Sequence, residues 1–388
     1  MLSSGVFEEA QKKLKTLKEE PDVDVKLKLY ALFKQATKGD VEGSRPGMMD
    51  FAGRAKFDAW AAIKARCYDA GGKYAALVNE LLAAEGAAST AAPTASVEGL
   101  APVNGLSVSI EDKVVARIVT SNASLKIFKI RLDRPTKFNA LTLDMYKGII
   151  AALKASDARK DTSVTVITGS GAYFCSGNDL TNFAAAAGAD RATMAKIASE
   201  AAVVLQEYVQ AYVDHGKPLL GLINGPAVGI SVTVLPLFDL VVAVDNSTFY
   251  APFSALGQSP EGCSSYTFPL LLGPARASEF LLLSRRFTAQ EALDRGLVNH
   301  VVPQVPLTSV SHKLLHVQAA WERESWNLAV AASKLPPESL RVNKKLLRDV
   351  HRAQLTAVND RECKVIQERW LSEECAAAIR NFLSKSKK

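Results

Sequence analysis

Tyr173-Phe174-Cys175-Ser176-Gly177-Asn178-Asp179-Leu180 follows closely on the apolar, β-branched run Val164-Thr165-Val166-Ile167. The run reads as a strand and the glycine-containing octapeptide as a strand-to-helix turn. Such turns expose backbone N–H groups, and a helix N-terminus favours developing negative charge. Further along, Ile223-Asn224-Gly225-Pro226-Ala227-Val228-Gly229-Ile230-Ser231 makes a second tight turn after another apolar run, Leu219-Leu220-Gly221-Leu222-Ile223. The same plan occurs twice: strand, glycine turn, entry into an apolar helix.

Moving outward, Leu125, Ile127 and Ile130-Arg131-Leu132 read as a strand ahead of Arg134-Pro135, and Leu240-Val241-Val242-Ala243-Val244 as another. Helical periodicity occupies 142–156 and 193–213, and returns from about residue 307. Strands alternating with helices argue for an α/β domain. Residues 83–105 hold small residues, Ser, Thr and Pro, the composition of a linker. Before it, Phe7, Ala10, Leu14 and Leu17 repeat at helical spacing until Pro21. Leu27, Tyr30, Ala31 and Lys34 share a helix face, and further helices are expected near 53–66 and 72–84. The expected organisation is a small all-α four-helix bundle over 1–85, a flexible linker over 86–110, and an α/β domain with a helical C-terminal region over 111–388.

The 388 residues are 48% hydrophobic and 22% charged, which excludes wholesale disorder and fibrous repeats. No window is apolar enough for a transmembrane helix. Of the net charge of +7, most comes from residues 300–388, with 15 basic and 9 acidic side chains. No basic stripe or recognition motif points to nucleic acid, and the surplus, with Lys344, Lys345 and Arg348, fits either a phosphorylated ligand or a solvated face. Five cysteines without a CxxC argue against a disulfide framework. His312 and His316 have an i, i+4 spacing, but Lys313 stands where a zinc site of the HExxH type needs glutamate, so no metal is expected.

Phe33-Lys34-Gln35-Ala36-Thr37-Lys38-Gly39-Asp40, Arg45-Pro46-Gly47-Met48-Met49-Asp50-Phe51 and Gly53-Arg54-Ala55-Lys56-Phe57-Asp58-Ala59-Trp60 resemble the acyl-CoA-binding protein family, over roughly residues 5–85. The resemblance implies a bundle that holds long-chain acyl-CoA, with Lys15, Tyr30, Phe33, Lys34, Lys56 and Tyr74 at the ligand. Lysine suits the coenzyme A phosphates, and tyrosine offers a ring face and a hydroxyl. Phe33 stands where the family usually has tyrosine, and Phe57 where tryptophan is usual.

The two glycine turns, with Arg134-Pro135 and Asn139-Ala140-Leu141, resemble the crotonase (enoyl-CoA hydratase/isomerase) superfamily over roughly 115–380. The resemblance implies an oxyanion hole made by the backbone N–H groups of Asn178 and Ile230. Ser176, Gly177, Asp179, Leu180 and Gly229 then belong to the substrate-binding turns, Asp179 more as a structural cap than as an acid. Hydratases of this superfamily use two glutamates; here the corresponding positions fall at Thr233 and Phe253. Gln258-Ser259-Pro260-Glu261-Gly262 instead matches the single catalytic glutamate of the Δ3,Δ2-enoyl-CoA isomerases. A carboxylate in an apolar pocket has a raised pKa and is a better base. Phe249, Phe253, Leu256 and Phe268 read as core or as acyl-tunnel wall.

The expected activity is isomerisation of 3-enoyl-CoA to trans-2-enoyl-CoA in β-oxidation of unsaturated fatty acids. The alternatives are a hydratase or other crotonase-type enzyme, and a non-catalytic acyl-CoA carrier. Acyl-CoA and enoyl-CoA thioesters are the expected partners, with no cofactor beyond the coenzyme A of the substrate. The resemblance also implies a homotrimer and a peroxisomal location, with the mitochondrion second. No Arg-rich presequence is visible at the start. The ending Ser386-Lys387-Lys388 departs from a Ser-Lys-Leu signal at the last position.

Overall fold

The computed structural model describes residues 4–14, 23–42, 45, 51–63, 69–90, 97, 100–111, 126–179, 181–182, 190–303 and 314–386. They divide into two compact units, Met1–Pro93 and Thr94–Lys388.

Among the described residues, the first unit holds four helices: α1 (Ser4–Leu14), α2 (Val23–Lys38), α3 (Phe51–Ala61) and α4 (Ala70–Thr90). Ala10, Leu29, Leu32, Tyr74, Ala75 and Val78 form its buried core, with Phe7, Leu14, Val25 and Phe33 packed against them. The helix spacing on α2 sends Leu29 and Leu32 inward and leaves Tyr30 and Lys34 half-buried on the neighbouring face. The stretch 86–110, expected as a flexible linker, is helical as far as Thr90 and becomes a strand at Leu106. Its alanine-rich start continues α4, since alanine is the best helix former.

The second unit contains, in chain order, β1 (Leu106–Glu111), β2 (Lys126–Leu132), α5 (Leu143–Ala158), β3 (Thr162–Gly169), α6 (Arg191–Asp214), β4 (Leu219–Ile223), β5 (Ala227–Val228) and α7 (Ile230–Thr233). There follow β6 (Leu240–Val244), β7 (Thr248–Tyr250), α8 (Ser264–Leu272), α9 (Pro274–Leu281), β8 (Phe287–Thr288), α10 (Ala289–Asp294), β9 (His300–Val302), α11 (Leu314–Ser333), α12 (Pro337–Trp370) and α13 (Glu373–Ser386). Among the described residues, six strands form one sheet in the order β1-β2-β3-β4-β6-β9. Only β1 with β2 is antiparallel; the other neighbours are parallel. A second sheet has the order β5-β7-β8.

Parallel strands covered on both faces read as continuous apolar runs, which is why β3, β4 and β6 were visible in the sequence. Alternation still sorts their side chains. Ile127, Val164, Val166, Leu220, Leu222, Val242 and Val244 pack towards Ala329 and Trp326 of α11. Phe128, Ile130, Ile167, Leu219, Ile223, Val241 and Ala243 enter the larger core, with Met145 and Ile149 of α5 and Leu205 and Val209 of α6. Phe249, Phe253 and Phe268 belong to that same core, while Leu256 is only half-buried.

The basic cluster on α12 is engaged within the fold. Lys344 is buried, pairs with Asp239 at 2.7 Å and donates to the Lys217 carbonyl at 2.6 Å. Arg348 donates to the Leu237 carbonyl at 2.8 Å, and Lys345 pairs with Asp349 at the surface. Cys175, Cys263, Cys363 and Cys375 are free thiols. Cys67, His312 and the side chain of His316 lie outside the described residues. Among the described residues no cluster could hold a metal ion, and no helix is long and apolar enough to cross a membrane.

Candidate active site

The loop before the first glycine turn is pinned by two asparagine amides. Asn139 is fully buried. Its Nδ2 donates to the carbonyls of Ser170 and Tyr173, both at 2.8 Å, and its Oδ1 accepts from the Arg134 N–H at 2.8 Å. Asn224 Nδ2 donates to the Gly171 carbonyl at 2.8 Å, and its Oδ1 accepts from the Gly169 N–H at 3.0 Å. These amides satisfy loop groups that would otherwise be unpaired.

The turn itself then pairs with Leu141. The Leu141 N–H donates to the Gly177 carbonyl at 2.8 Å, and the Asp179 N–H to the Leu141 carbonyl at 2.9 Å. In such pairing alternate residues point their polar groups to opposite sides. Asn178, between them, therefore directs its own N–H away from Leu141. Its side-chain Oδ1 accepts from Asn182 Nδ2 at 2.7 Å. Gly177 has φ +87°, and a Cβ there would lie 2.7 Å from the Val228 carbonyl oxygen. That close approach brings in the second turn. Cys175 and Ala227 form a parallel bridge, and the Ser231 hydroxyl donates to the Cys175 carbonyl at 3.1 Å.

In the second turn the Gly229 N–H donates to the Tyr250 carbonyl at 2.8 Å. Gly229 has φ +62° with open space where a side chain would stand. Ile230 opens α7, so its N–H precedes the first intrahelical bond. Among the described residues, no acceptor takes the N–H of Asn178 or of Ile230. The sequence placed both donors in turns, and the structure brings the turns together. The Ile230 side chain is fully buried, so the backbone group is its polar contribution.

Asp179 is engaged within the fold. It pairs with Arg134 at 2.8 Å and accepts from the Thr181 N–H at 2.9 Å and hydroxyl at 2.7 Å. Burial works to raise its pKa, but the Thr181 and Arg134 bonds outweigh it and hold the carboxyl below the usual range. Ser176 donates its N–H to the Phe138 carbonyl at 2.9 Å. Leu180 lies outside the described residues.

Glu261 is 8% exposed. No described residue donates a hydrogen bond to its carboxyl group. Burial, and then the nearby negative charge of Glu362, push its pKa up to about 8. A Cβ on the next residue, Gly262, would lie 2.6 Å from Thr233 Oγ1. Thr233 ends α7 and Ile230 begins it, so about 5 Å of helix separates the donor residue from the residue packed behind the Glu261 turn. Thr233 turns its hydroxyl to the Ile230 carbonyl at 3.3 Å and Phe253 is buried, so neither position supplies a carboxylate.

Sequence reasoning missed Glu362, on α12. Its carboxylate accepts from the Cys263 N–H at 2.7 Å and the Ser265 N–H at 2.8 Å. Its only sequence signal is a glutamate within a long charged helix. A separate groove of about 320 Å³ runs beside Tyr266, Leu270, Leu347 and Arg348; Glu261, Asn178 and Ile230 do not line it.

In the first unit, the ammonium groups of Lys34 and Lys56 each lie 5.6 Å from the centroid of the Tyr30 ring. Lys34 is also 5.8 Å from the Trp60 ring, and Trp60 Nε1 donates to the Gly39 carbonyl at 3.0 Å. Tyr30, Lys34 and Lys56 thus gather at one place, and Trp60 joins them unforeseen. Tyr74, expected at the ligand, is a core residue, 3% exposed. It packs edge-on to Phe7 at 5.0 Å, with Phe33 against both rings. An apolar wall of the bundle drew these aromatics inward. Lys15 lies outside the described residues.

The description "Enoyl-CoA hydratase/isomerase" fits the family matched by residues 122–387, and "Acyl CoA binding protein" that matched by residues 4–78. A Rattus norvegicus protein named Enoyl-CoA delta isomerase 2 is 44% identical over 98% of this chain and 90% of its own. The Homo sapiens protein of the same name is 42% identical over 98% of this chain and 89% of its own. Enoyl-CoA delta isomerase 3, peroxisomal, of Mus musculus is 38% identical over 89% of this chain and 98% of its own. Among solved structures, an enoyl-CoA hydratase/isomerase of Pseudoalteromonas atlantica superposes with a TM-score of 0.59 at 27% identity, covering 73% of this chain and 98% of that one. The chain belongs to the enoyl-CoA hydratase/isomerase family, fused on its N-terminal side to a unit of the acyl-CoA-binding protein family.

Proposed function

We propose that this protein converts 3-cis- and 3-trans-enoyl-CoA to trans-2-enoyl-CoA, with Glu261 as the one proton carrier. The observation that carries the reading is the buried Glu261 carboxyl group, to which no described residue donates a hydrogen bond, on a turn packed against the end of the short helix that Ile230 opens.

The thioester carbonyl oxygen sits between the N–H groups of Asn178 and Ile230. The Glu261 carboxylate takes a proton from C2, and the freed electron pair spreads onto the carbonyl oxygen as a dienolate. Each N–H stabilises that oxygen by about 3 kcal/mol, the typical value for one such donor. The dienolate collapses with a double bond between C2 and C3, and C4 takes the proton from the Glu261 carboxylic acid. Nothing is gained or lost, so one carboxyl group suffices. Being raised to about 8, it is a stronger base than a solvated glutamate and gives the proton back on collapse. No cofactor is required beyond the coenzyme A of the substrate.

The first unit binds acyl-CoA at Tyr30, Lys34 and Lys56, which offer two cations around one aromatic face. Tethering such a binder raises the local concentration of substrate for the second unit. Unsaturated fatty acids produce 3-enoyl-CoA during β-oxidation, which is the proposed setting. A peroxisomal location is proposed on the strength of the mouse relative's name, with the mitochondrion as the alternative. Assembly as a homotrimer through the second unit is proposed on the family resemblance; Leu283, Leu347 and Val350 are exposed large apolar side chains of that unit.

Product analysis tests the reading. The protein should turn 3-hexenoyl-CoA into trans-2-hexenoyl-CoA and add no water to the product. Formation of 3-hydroxyhexanoyl-CoA would make it a hydratase. Tight acyl-CoA binding with no turnover would make it a carrier.

A further inference from the structure

We propose that Glu362 is a positioning residue for the isomerisation: its carboxylate, reaching from α12, clamps the turn that carries Glu261 through the N–H groups of Cys263 and Ser265. The inference rests on the reading of Glu261 as the base.

The geometry is specific. Two N–H groups from the start of α8 converge on one carboxylate, at 2.7 and 2.8 Å, from residues 99 and 97 positions away. Glu362 is 5% exposed, and among the described residues it makes no ion pair with a basic side chain. Burying a carboxylate without a paired cation is costly, and here the two N–H bonds, one to each oxygen, offset that cost. Glutamine would hold only half of the clamp: its oxygen could take one N–H, but its NH₂ group would face the other.

The clamped turn needs holding. Cys263 has φ +62°, an uncommon conformation for a residue with a side chain. It follows Gly262, which also has positive φ and is pressed against Thr233. The two left-handed residues turn the chain so that Glu261 stands beside the α7 end of the site. The Cys263 N–H bond to Glu362 fixes that turn two residues from the base.

Charge adds a second effect. The groups facing Glu261 are Tyr146 of α5 and Glu362 and Cys363 of α12. Around Glu362 stand Cys263, Cys363 and Arg361, and Arg348 acts on Cys263. Burial holds Tyr146 well above its ordinary range and Cys363 up at about 12, so both stay neutral where the glutamates titrate. Burial raises the pKa of Glu362 as well, and the bonds from Ser265 and Cys263 work against that rise; once ionised, Glu362 makes ionisation of Glu261 harder.

The test is kcat/KM against pH for the parent, Glu362→Gln, Glu362→Asp and Glu261→Gln proteins, with thermal melting alongside. Glu362→Gln should lower kcat at least tenfold, leave KM within about threefold, and move the acid limb to lower pH by about one unit. Glu362→Asp keeps the charge, so its limb should stay in place while kcat falls. An unmoved limb in Glu362→Gln, with loss confined to the melting temperature, overturns the proposal. If Glu362→Gln does not fold, parent-like kcat in Glu362→Asp overturns it. An active Glu261→Gln protein would instead remove the reading on which the proposal rests.

Discussion

Cys175 and Ala227 pair as a parallel β-bridge. That single relationship makes the two glycine turns one object and sets the N–H groups of Asn178 and Ile230 in a common frame. The Val228 N–H donates to the Cys175 carbonyl at 2.9 Å, and Gly177 closes on the Val228 carbonyl.

Gly177→Ala should therefore separate the turns. The new methyl group would stand 2.7 Å from the Val228 backbone oxygen, on a residue already at φ +87°. A loss of about 2 kcal/mol in stability is expected. The fall in kcat should exceed that of Gly229→Ala, where the space is open and only backbone strain is added. Melting curves and steady-state kinetics on both variants check the order; equal effects would contradict it.

Asp179→Asn should act on stability rather than on proton transfer. It leaves the largely buried Arg134 without its carboxylate partner, a change worth about 3 kcal/mol in comparable pairs. The pH-rate profile of the folded fraction should keep its shape. A shifted limb would return Asp179 to the list of acids.

Activity and stability should move in opposite directions with pH. Glu261 titrates near 4.5 in the unfolded chain and near 8 in the fold. The base works ionised, so kcat/KM should rise about tenfold per unit below pH 8 and level off above it. In the same window the folded protein keeps a proton that the unfolded chain has released. Stability from this group is full below about pH 4.5 and is lost as pH rises through about 8. Glu261→Gln should flatten part of that slope in a pH series of melting temperatures.

Lys34→Ala with Lys56→Ala should weaken acyl-CoA binding in the first unit by about tenfold, since two charge-assisted contacts are lost. Calorimetry on the full chain with dodecanoyl-CoA should show one class of sites weakened and the other kept. An unchanged isotherm would contradict the assignment.

Much of this was legible in the sequence because it is local. The runs 219–223 and 240–244 coincide with β4 and β6, since strands buried on both faces need unbroken apolar residues. Glu261, Asn178 and Gly229 stand out because each sits in a short run of adjacent residues that resembles a family motif. The rest depended on distant pairing. The strands β5, β7 and β8 are two or three residues long, too short to show a period. The packing of Tyr74 with Phe7 and Phe33 joins three helices and shows in no single window of sequence. Glu362 meets the Glu261 turn only because α12 folds back across α8, which no window of sequence contains.

The measurement closest to the central claim is isomerisation of 3-hexenoyl-CoA by the parent and by Glu261→Gln, with coenzyme A binding and melting recorded on both. The account predicts that the variant folds, binds the thioester and loses at least about three orders of magnitude in kcat, the scale of a removed general base. Turnover by Glu261→Gln near the parent rate would contradict it.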